Sequence, residues 1–196
     1  MGNRTSRPLY DYKACCNKMR AQTLQSLRDR FHLLATNVDE IYGIFFGRFA
    51  ESELGQFNCL GPNFVSRVLR VINYSGSDMI QFEEFVCFAF LRDSGSRDDH
   101  IQFLFKVCDL KGNGKIAKKE LEMMKRAMLN VDDGGDDGFS YLMETWTELT
   151  IAVYDGTKSQ SLCMSDWRKY ASHDQSILRM LDMLSPPKDV FPTLND

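Results

Sequence analysis

The run Asp109-Leu110-Lys111-Gly112-Asn113-Gly114-Lys115-Ile116-Ala117-Lys118-Lys119-Glu120 spaces its oxygen donors as a twelve-residue calcium loop between two helices requires. Calcium is a hard cation that takes six to eight oxygens. Asp109 at place 1, Asn113 at place 5, the carbonyl of Lys115 at place 7 and a bidentate Glu120 at place 12 are the expected ligands, and Ala117 at place 9 leaves that position to a water. Gly114 permits the sharp turn, and Ile116 is the apolar residue expected to pair this loop with another. Lys111 at place 3 departs from the pattern, because it puts an ammonium where an oxygen should sit. A long side chain can swing that charge into water, which limits the cost to about 1–2 kcal/mol and one lost ligand. The site is therefore expected to hold one calcium weakly.

Helices must hold such a loop at both ends. Ile101, Leu104, Phe105 and Cys108 recur at helical spacing before it, with Ser96 or Asp98 placed to cap the helix, and Leu121, Met124 and Met128 continue after it. Place 1 of a second frame, Asn73 to Glu84, lies 36 residues before Asp109 and follows the apolar positions Phe64, Val65, Val68, Leu69 and Ile72. Asn73, Ser75 and Ser77 bring no charge to that loop, and Asp78 stands where glycine is wanted, so it is a poor site. A third frame, Asp155 to Asp166, has Leu162 at place 8 as a mate for Ile116, Gln160 in place of the turn glycine and a short Asp166 at place 12. It too is expected to bind poorly. Leu142, Trp146, Leu149 and Val153 mark the apolar face of the helix before it, and Val131 to Gly138 reads as a flexible linker. Near the start, Leu24, Leu27, Phe31 and Leu34 predict a helix from Ala21 to Ala35, and the following Thr36 to Phe49 fits no calcium frame, so this unit serves packing alone. At the far end Ser172-His173-Asp174-Gln175 has capping-box form before Ile177, Leu178, Leu181 and Leu184, a helix stopped by Pro186-Pro187. That helix either covers a groove or completes the core.

A hydrophobic content of 43% is enough to bury a sizeable core, and a net charge of −3 argues against nucleic acid as a partner. The six cysteines have no C-x-x-C spacing and read as reduced residues, and His32, His100 and His173 are scattered as surface or satisfied interior residues. No apolar run is long enough to span a membrane and no signal-peptide core is present, so the expectation is a cytoplasmic protein. Nothing resembles a nucleophile elbow, phosphate loop or zinc signature, which argues against an enzyme.

Met1-Gly2-Asn3-Arg4-Thr5-Ser6 matches the signal for myristate on Gly2. One such chain anchors only marginally, so a second signal is expected from Arg4, Arg7, Lys13, Lys18 and Arg20 or from acylation of Cys15 and Cys16. The protein then sits peripherally at a membrane.

Taken with the loops, the run-in Phe103-Leu104-Phe105-Lys106-Val107-Cys108-Asp109 and the segment His173-Asp174-Gln175-Ser176-Ile177-Leu178-Arg179 resemble the myristoylated EF-hand sensors, the group of neuronal calcium sensors, calcineurin B and calcineurin B-like proteins. The resemblance covers nearly the whole chain. It implies an all-α fold of two pairs of EF-hand units plus a C-terminal helix, divided as a lipidation and basic segment (1–20), a degenerate first pair (21–95), a second pair (96–171) and a C-terminal helix and tail (172–196). It also implies a calcium-binding regulatory protein that takes an amphipathic target helix in a groove rich in Met and Phe, with Phe82, Phe85, Phe88 and Phe90 clustered to line it. The alternative is a calcium-independent structural adaptor, clamped on one target like a light chain, that keeps the fold without the switch. Replacing Gly2→Ala removes the acylation site but leaves the basic residues, and is expected to release the protein from membranes; equal membrane fractions for wild type and variant would refute lipidation at Gly2.

Overall fold

A computed structural model describes residues 9–38, 41–55, 61–128 and 137–184. Its helices are α1 (Tyr12–Lys18), α2 (Ala21–Leu34), α3 (Phe46–Glu53), α4 (Pro62–Ile72), α5 (Phe82–Ser94), α6 (Arg97–Cys108), α7 (Lys118–Met128), α8 (Asp137–Tyr154), α9 (Met164–Ala171) and α10 (Gln175–Leu184). Five short strands, β1 (Thr36–Val38), β2 (Ile41–Phe45), β3 (Met79–Ile80), β4 (Lys115–Ala117) and β5 (Ser161–Cys163), lie in the loops between helices. The all-α class is thus realised as four helix-loop-helix units in two pairs, with α1 and α10 added outside them.

Local chemistry sets most of the boundaries. Gly61 at φ +78° precedes Pro62, whose missing N–H costs nothing in a first turn, and α4 then buries Phe64, Val65, Val68 and Ile72. Ser96, not Asp98, caps α6, accepting from the Asp99 N–H at 3.2 Å; Asp98 is instead free to bind Arg168 of α9 at 2.7 Å. At α10 the predicted cap also moves. Ser172 ends α9 by donating to the Lys169 carbonyl, and Asp174 caps α10 by accepting from the Ile177 N–H at 3.1 Å. The linker expected over 131–138 differs as well, since Asp137 and Gly138 already belong to α8; residues 131–136 lie outside those described.

The loops hold each pair together. β4 and β5 run antiparallel with Ile116 opposite Leu162, as their shared place in the two frames predicts, and both residues are fully buried. β2 and β3 pair with Ile44 opposite Ile80, which supplies the frame that the first loop's residues conceal. Counting from Ile44 as place 8, place 1 is Asn37 and place 12 is Arg48. The loop instead folds β1 against β2, and Gly43 lets that hairpin lie close to β3, where an added Cβ would stand 2.9 Å from the Ile80 carbonyl oxygen. An arginine at the bidentate position and a strand in place of the ligand turn leave this unit to packing, as expected.

α5 is apolar on every side, from Phe85 through Leu91, and a helix of that kind must be covered all round. Phe31 of α2 meets Phe82 and Phe85 at centroid distances of 5.2 and 5.7 Å, Phe49 of α3 meets Phe88 at 5.8 Å, and Phe103 of α6 meets Phe88 from the second pair. The remaining face is taken by the segment expected to be a basic leader. Residues 9–19 pack there, with Tyr10 edge-on to Phe90 at 5.1 Å and Tyr12 edge-on to Phe82 at 6.3 Å. Cys15 is 1% exposed beside Cys87, so a thioester on it would require α1 to lift from α5, whereas Cys16 is half-buried; Gly2 lies outside the described residues.

α8 turns inward a face that matches its apolar spacing at Trp146 but not at Leu149 and Val153. Leu149 and Val153 are 60% and 73% exposed, while Thr147, Thr150 and Ile151 are buried. Each threonine hydroxyl donates to the carbonyl four residues back, Thr147 to Met143 and Thr150 to Trp146, so no polar group is stranded.

α10 completes the core of the second pair. Ile177, Met180, Leu181 and Leu184 are all at most 1% exposed, and at about 2 kcal/mol for each buried apolar side chain its removal would forfeit roughly 8 kcal/mol. That equals the whole binding energy of a micromolar complex, so α10 belongs to the fold. Its start is tied down by Asp174, which accepts from Lys125 of α7 at 3.1 Å and from the Tyr170 hydroxyl of α9 at 2.7 Å, while the Lys125 ammonium sits 4.0 Å over the Trp146 ring. Burial pushes the Asp174 carboxyl up, but the hydrogen bonds from Tyr170 and the charge of Lys125 prevail and hold it below the usual carboxylate range. A carboxyl with a depressed folded value contributes stability above its unfolded value, near pH 4, that is lost as the pH falls through the folded value. Asp174→Asn is therefore expected to cost about 3 kcal/mol at pH 7, because it removes the carboxylate that accepts from the buried Lys125 ammonium. Urea unfolding followed by tryptophan emission checks this, and the gap between wild type and variant should narrow toward pH 2; a gap independent of pH would refute the latch.

Candidate metal site in the paired loops

Loop 3, from Asp109 to Glu120, bridges α6 and α7 and is shaped by its two carboxylates. Asp109, the C-cap of α6, accepts from the Asn113 N–H at 3.1 Å with one oxygen and from the Gly114 N–H at 2.7 Å with the other. The Asn113 side-chain oxygen accepts from the Lys115 N–H at 3.1 Å. Gly112 and Gly114 take φ of +62° and +78°, the left-handed conformation that carries the chain round the turn. Glu120 is 3% exposed at the start of α7 and reaches back under the loop, accepting from the Lys111 N–H at 3.0 Å and the Ala117 N–H at 2.8 Å. Asp109, Asn113 and Glu120 are thus gathered in one loop by its backbone. Lys111 is exposed, so its ammonium stands in water.

The donor set fits a hard cation with a small shell. One oxygen each from Asp109, Asn113 and the Lys115 carbonyl, with two from Glu120, makes about five, and a water brings the shell to the lower bound for calcium. Among the described residues no three His, Cys, Asp or Glu side chains gather as a metal cluster. Loop 3 accordingly has only two carboxylates, its other donors being amide and carbonyl oxygens.

Loop 4, from Asp155 to Asp166, follows the same path with less suitable residues. Lys158 and Gln160 stand where loop 3 has Gly112 and Gly114, and both are held at positive φ, +55° and +56°. Its oxygens nevertheless converge. The Thr157 hydroxyl lies 2.9 Å from both Asp155 and Ser159, and the Ser159 hydroxyl lies 3.3 Å from the Ser161 carbonyl, so places 1, 3, 5 and 7 form one cluster. Sequence reasoning passed over Thr157, Ser159 and Ser161 because it weighed charge and the missing glycine; the alternation of oxygen-bearing residues at odd places was the signal available. Desolvation pushes the Asp155 carboxyl up, yet hydrogen bonds from Thr157, Gln160 and Ser161 together hold it below the usual carboxylate range. Asp166, one carbon shorter than glutamate, accepts from the Gly156 and Cys163 N–H groups at 3.3 and 3.2 Å and from the Cys163 thiol at 2.9 Å.

Loop 2, from Asn73 to Glu84, keeps the frame without the path. Glu84 accepts from the Ser75 and Gln81 N–H groups as Glu120 does in loop 3, at 2.8 and 2.9 Å. Asp78 is not left-handed, and the Asn73 amide is spent on the Ser77 carbonyl at 2.5 Å. Places 1, 3 and 5 remain uncharged, the composition on which the expectation of a poor site rests.

No family model matches the chain. It is 23% identical over 167 residues to calcium-dependent protein kinase 3 of Oryza sativa subsp. japonica, covering 82% of this chain and 29% of that one. It is 26% identical over 115 residues to dual oxidase of Drosophila melanogaster, covering 56% of this chain and 8% of that one. It is also 26% identical over 133 residues to guanylyl cyclase-activating protein 2 of Lithobates pipiens, covering 65% of this chain and 68% of that one. The chain therefore spans less than a third of the kinase and a small part of the oxidase. These relatives are EF-hand proteins, and they support the EF-hand superfamily for this chain without singling out a group within it.

The left-handed residues of loop 4 supply a test of its geometry. A side chain held at positive φ costs about 1–2 kcal/mol, part of which glycine's greater freedom in the unfolded chain takes back. Gln160→Gly is expected to stabilise the protein by about 0.5–1 kcal/mol in urea unfolding, whereas the same change at Lys169, within α9, should destabilise it by a similar amount. A loss of stability on Gln160→Gly would mean that loop 4 does not follow the path of loop 3.

Proposed function

We propose that this protein is a calcium-binding regulatory protein of the EF-hand kind, attached peripherally to cytoplasmic membranes through myristate on Gly2, that acts by binding an amphipathic segment of a partner protein. The observation that carries the reading is the convergence of Asp109, Asn113 and Glu120 in a loop whose two glycines are left-handed, paired through Ile116 with loop 4. Asp109, Asn113, the Lys115 carbonyl and Glu120 would hold the ion, and Lys111 would stand aside in solvent. A calcium ion held there would supply positive charge, and the Glu120 carboxylate, which accepts from the Lys111 and Ala117 N–H groups, is the group whose partners would change. Because Glu120 belongs to α7, that exchange of partners is the step by which the ion would shift α7 relative to α6. The names of the kinase and the oxidase describe proteins of which the chain spans 29% and 8%, so we read the chain as a regulator and not an enzyme.

A specific observation favours a second reading. Glu84 and Glu120 both close their loops on the protein's own backbone N–H groups, at 2.8–3.0 Å, and Arg48 occupies the same place in the first unit. A protein so closed can serve as a calcium-independent adaptor. Calorimetric titration separates the two readings. Wild type is expected to bind one calcium at sub-millimolar concentration and Glu120→Gln none, since the change removes the bidentate carboxylate; no heat of binding from wild type would leave the adaptor, and two tight sites would bring loop 4 into the first reading.

A further inference from the structure

Both apolar faces on which an EF-hand protein could seat a partner helix are taken in this chain by its own helices. α1 covers α5 of the first pair, and α10 is sunk into the second with Ile177, Met180, Leu181 and Leu184 buried. A partner that binds without unfolding either helix needs another surface, and the described residues form a large groove that offers one. It runs between α4 and α6, across the junction of the two pairs, has a volume of about 1100 Å³, and is floored at one end by loop 3 from Asp109 to Gly114.

The lining of this groove is of two kinds. Leu69, Val71, Phe105 and Leu110 give it apolar walls. Arg67, Arg70, Lys106 and Lys111 line it together with one carboxylate, Asp109; Arg67 and Lys106 already interact within the chain, so the exposed Arg70 and Lys111 carry the charge offered to a partner. Although the chain as a whole carries a net charge of −3, this groove presents Arg70 and Lys111 at its surface against the single carboxylate Asp109. Apolar walls beneath a basic rim complement a segment that is apolar on one face and acidic on the other. Size agrees: a helix 10–12 Å across rises 5.4 Å per turn, so two turns fill on the order of 1000 Å³.

We propose that the groove between α4 and α6 is the docking site for an acidic amphipathic segment of a partner protein. This rests on the regulatory reading above and specifies the partner's chemistry. It gives Lys111 a role that the metal site does not: a residue that removes a calcium ligand is at the same time an exposed cation on the groove floor. The groove and the ion share loop 3, so a segment seated there and an ion in the loop change each other's affinity by the same factor.

The test uses the full chain carrying Gly2→Ala, so that no acyl group contributes, and a fluorescein-labelled fourteen-residue helix with leucine on one face and glutamate on the other. Fluorescence polarisation should show micromolar binding of this peptide and at least roughly tenfold weaker binding of a control in which lysine replaces glutamate. Arg70 is exposed on α4, and Arg70→Glu should weaken the acidic peptide at least roughly fivefold without shifting the melting temperature. Lys111→Asp should likewise weaken the peptide, while a parallel calcium titration shows tighter ion binding. Arg70→Glu combined with Lys111→Asp should reverse the preference in favour of the lysine peptide. Equal binding of the two peptides, or no effect of Arg70→Glu, overturns the proposal. So does binding to phosphatidylserine vesicles that Arg70→Glu abolishes and the acidic peptide fails to compete, which would assign the groove to a lipid surface. Every peptide titration is run with and without chelator. Absence of calcium binding therefore sinks the sensor reading and leaves the groove standing, and absence of peptide binding does the reverse.

Discussion

Everything in this fold depends on the antiparallel contact between loops, Ile44 with Ile80 and Ile116 with Leu162. A helix-loop-helix unit has one apolar face on each helix and cannot cover both by itself; the ladder between loops fixes two units face to face, so that each supplies the other's missing wall. All four residues are fully buried. This constraint explains why the first unit persists with Arg48 at place 12 and a hairpin where ligands would be. Its chemistry as a site is gone, and its strand remains as the mate of β3.

The same constraint accounts for the twelfth-place carboxylates. Glu84, Glu120 and Asp166 each reach back from the first turn of a helix to backbone N–H groups of the loop before it, including that of place 9. There the carboxylate caps the helix, meets its N-terminal dipole and pins the loop. Such a group serves the fold in the absence of an ion, which is why a degenerate loop can keep it. The ion, where one binds, competes with the protein's own donors for the same oxygens.

The added helices settle how much of the sensor-like surface is open. α1 and α10 fill the faces that the clustered phenylalanines of α5 and the apolar side of α6 would otherwise present, and a buried ion pair, Lys125 with Asp174, fastens the second of them. Charge then distinguishes the surface left over. The groove between α4 and α6 presents the exposed cations Arg70 and Lys111, whereas Leu149 and Val153 on α8 stand exposed as apolar residues.

The four-unit architecture was legible in the residues because it rests on spacing: helical recurrence of apolar positions, the 36-residue step between Asn73 and Asp109, and the pairing of Ile116 with Leu162 are properties of the chain as a string. The candidate donors of loop 3 could be named for the same reason, since one twelve-residue segment contains all of them. What tertiary structure decided depends on neighbours distant in sequence. The frame of the first loop appears only when Ile44 is seen opposite Ile80; α8 presents threonines inward because their hydroxyls are satisfied within the helix, leaving Leu149 and Val153 outside; and Tyr10, Tyr12 and Cys15, which read as part of a basic leader, are drawn onto α5 because that helix has no polar side to turn to water. The gathering of Arg67, Arg70, Lys106 and Lys111 around one groove belongs to this second kind, for no periodicity along the chain links α4 to loop 3.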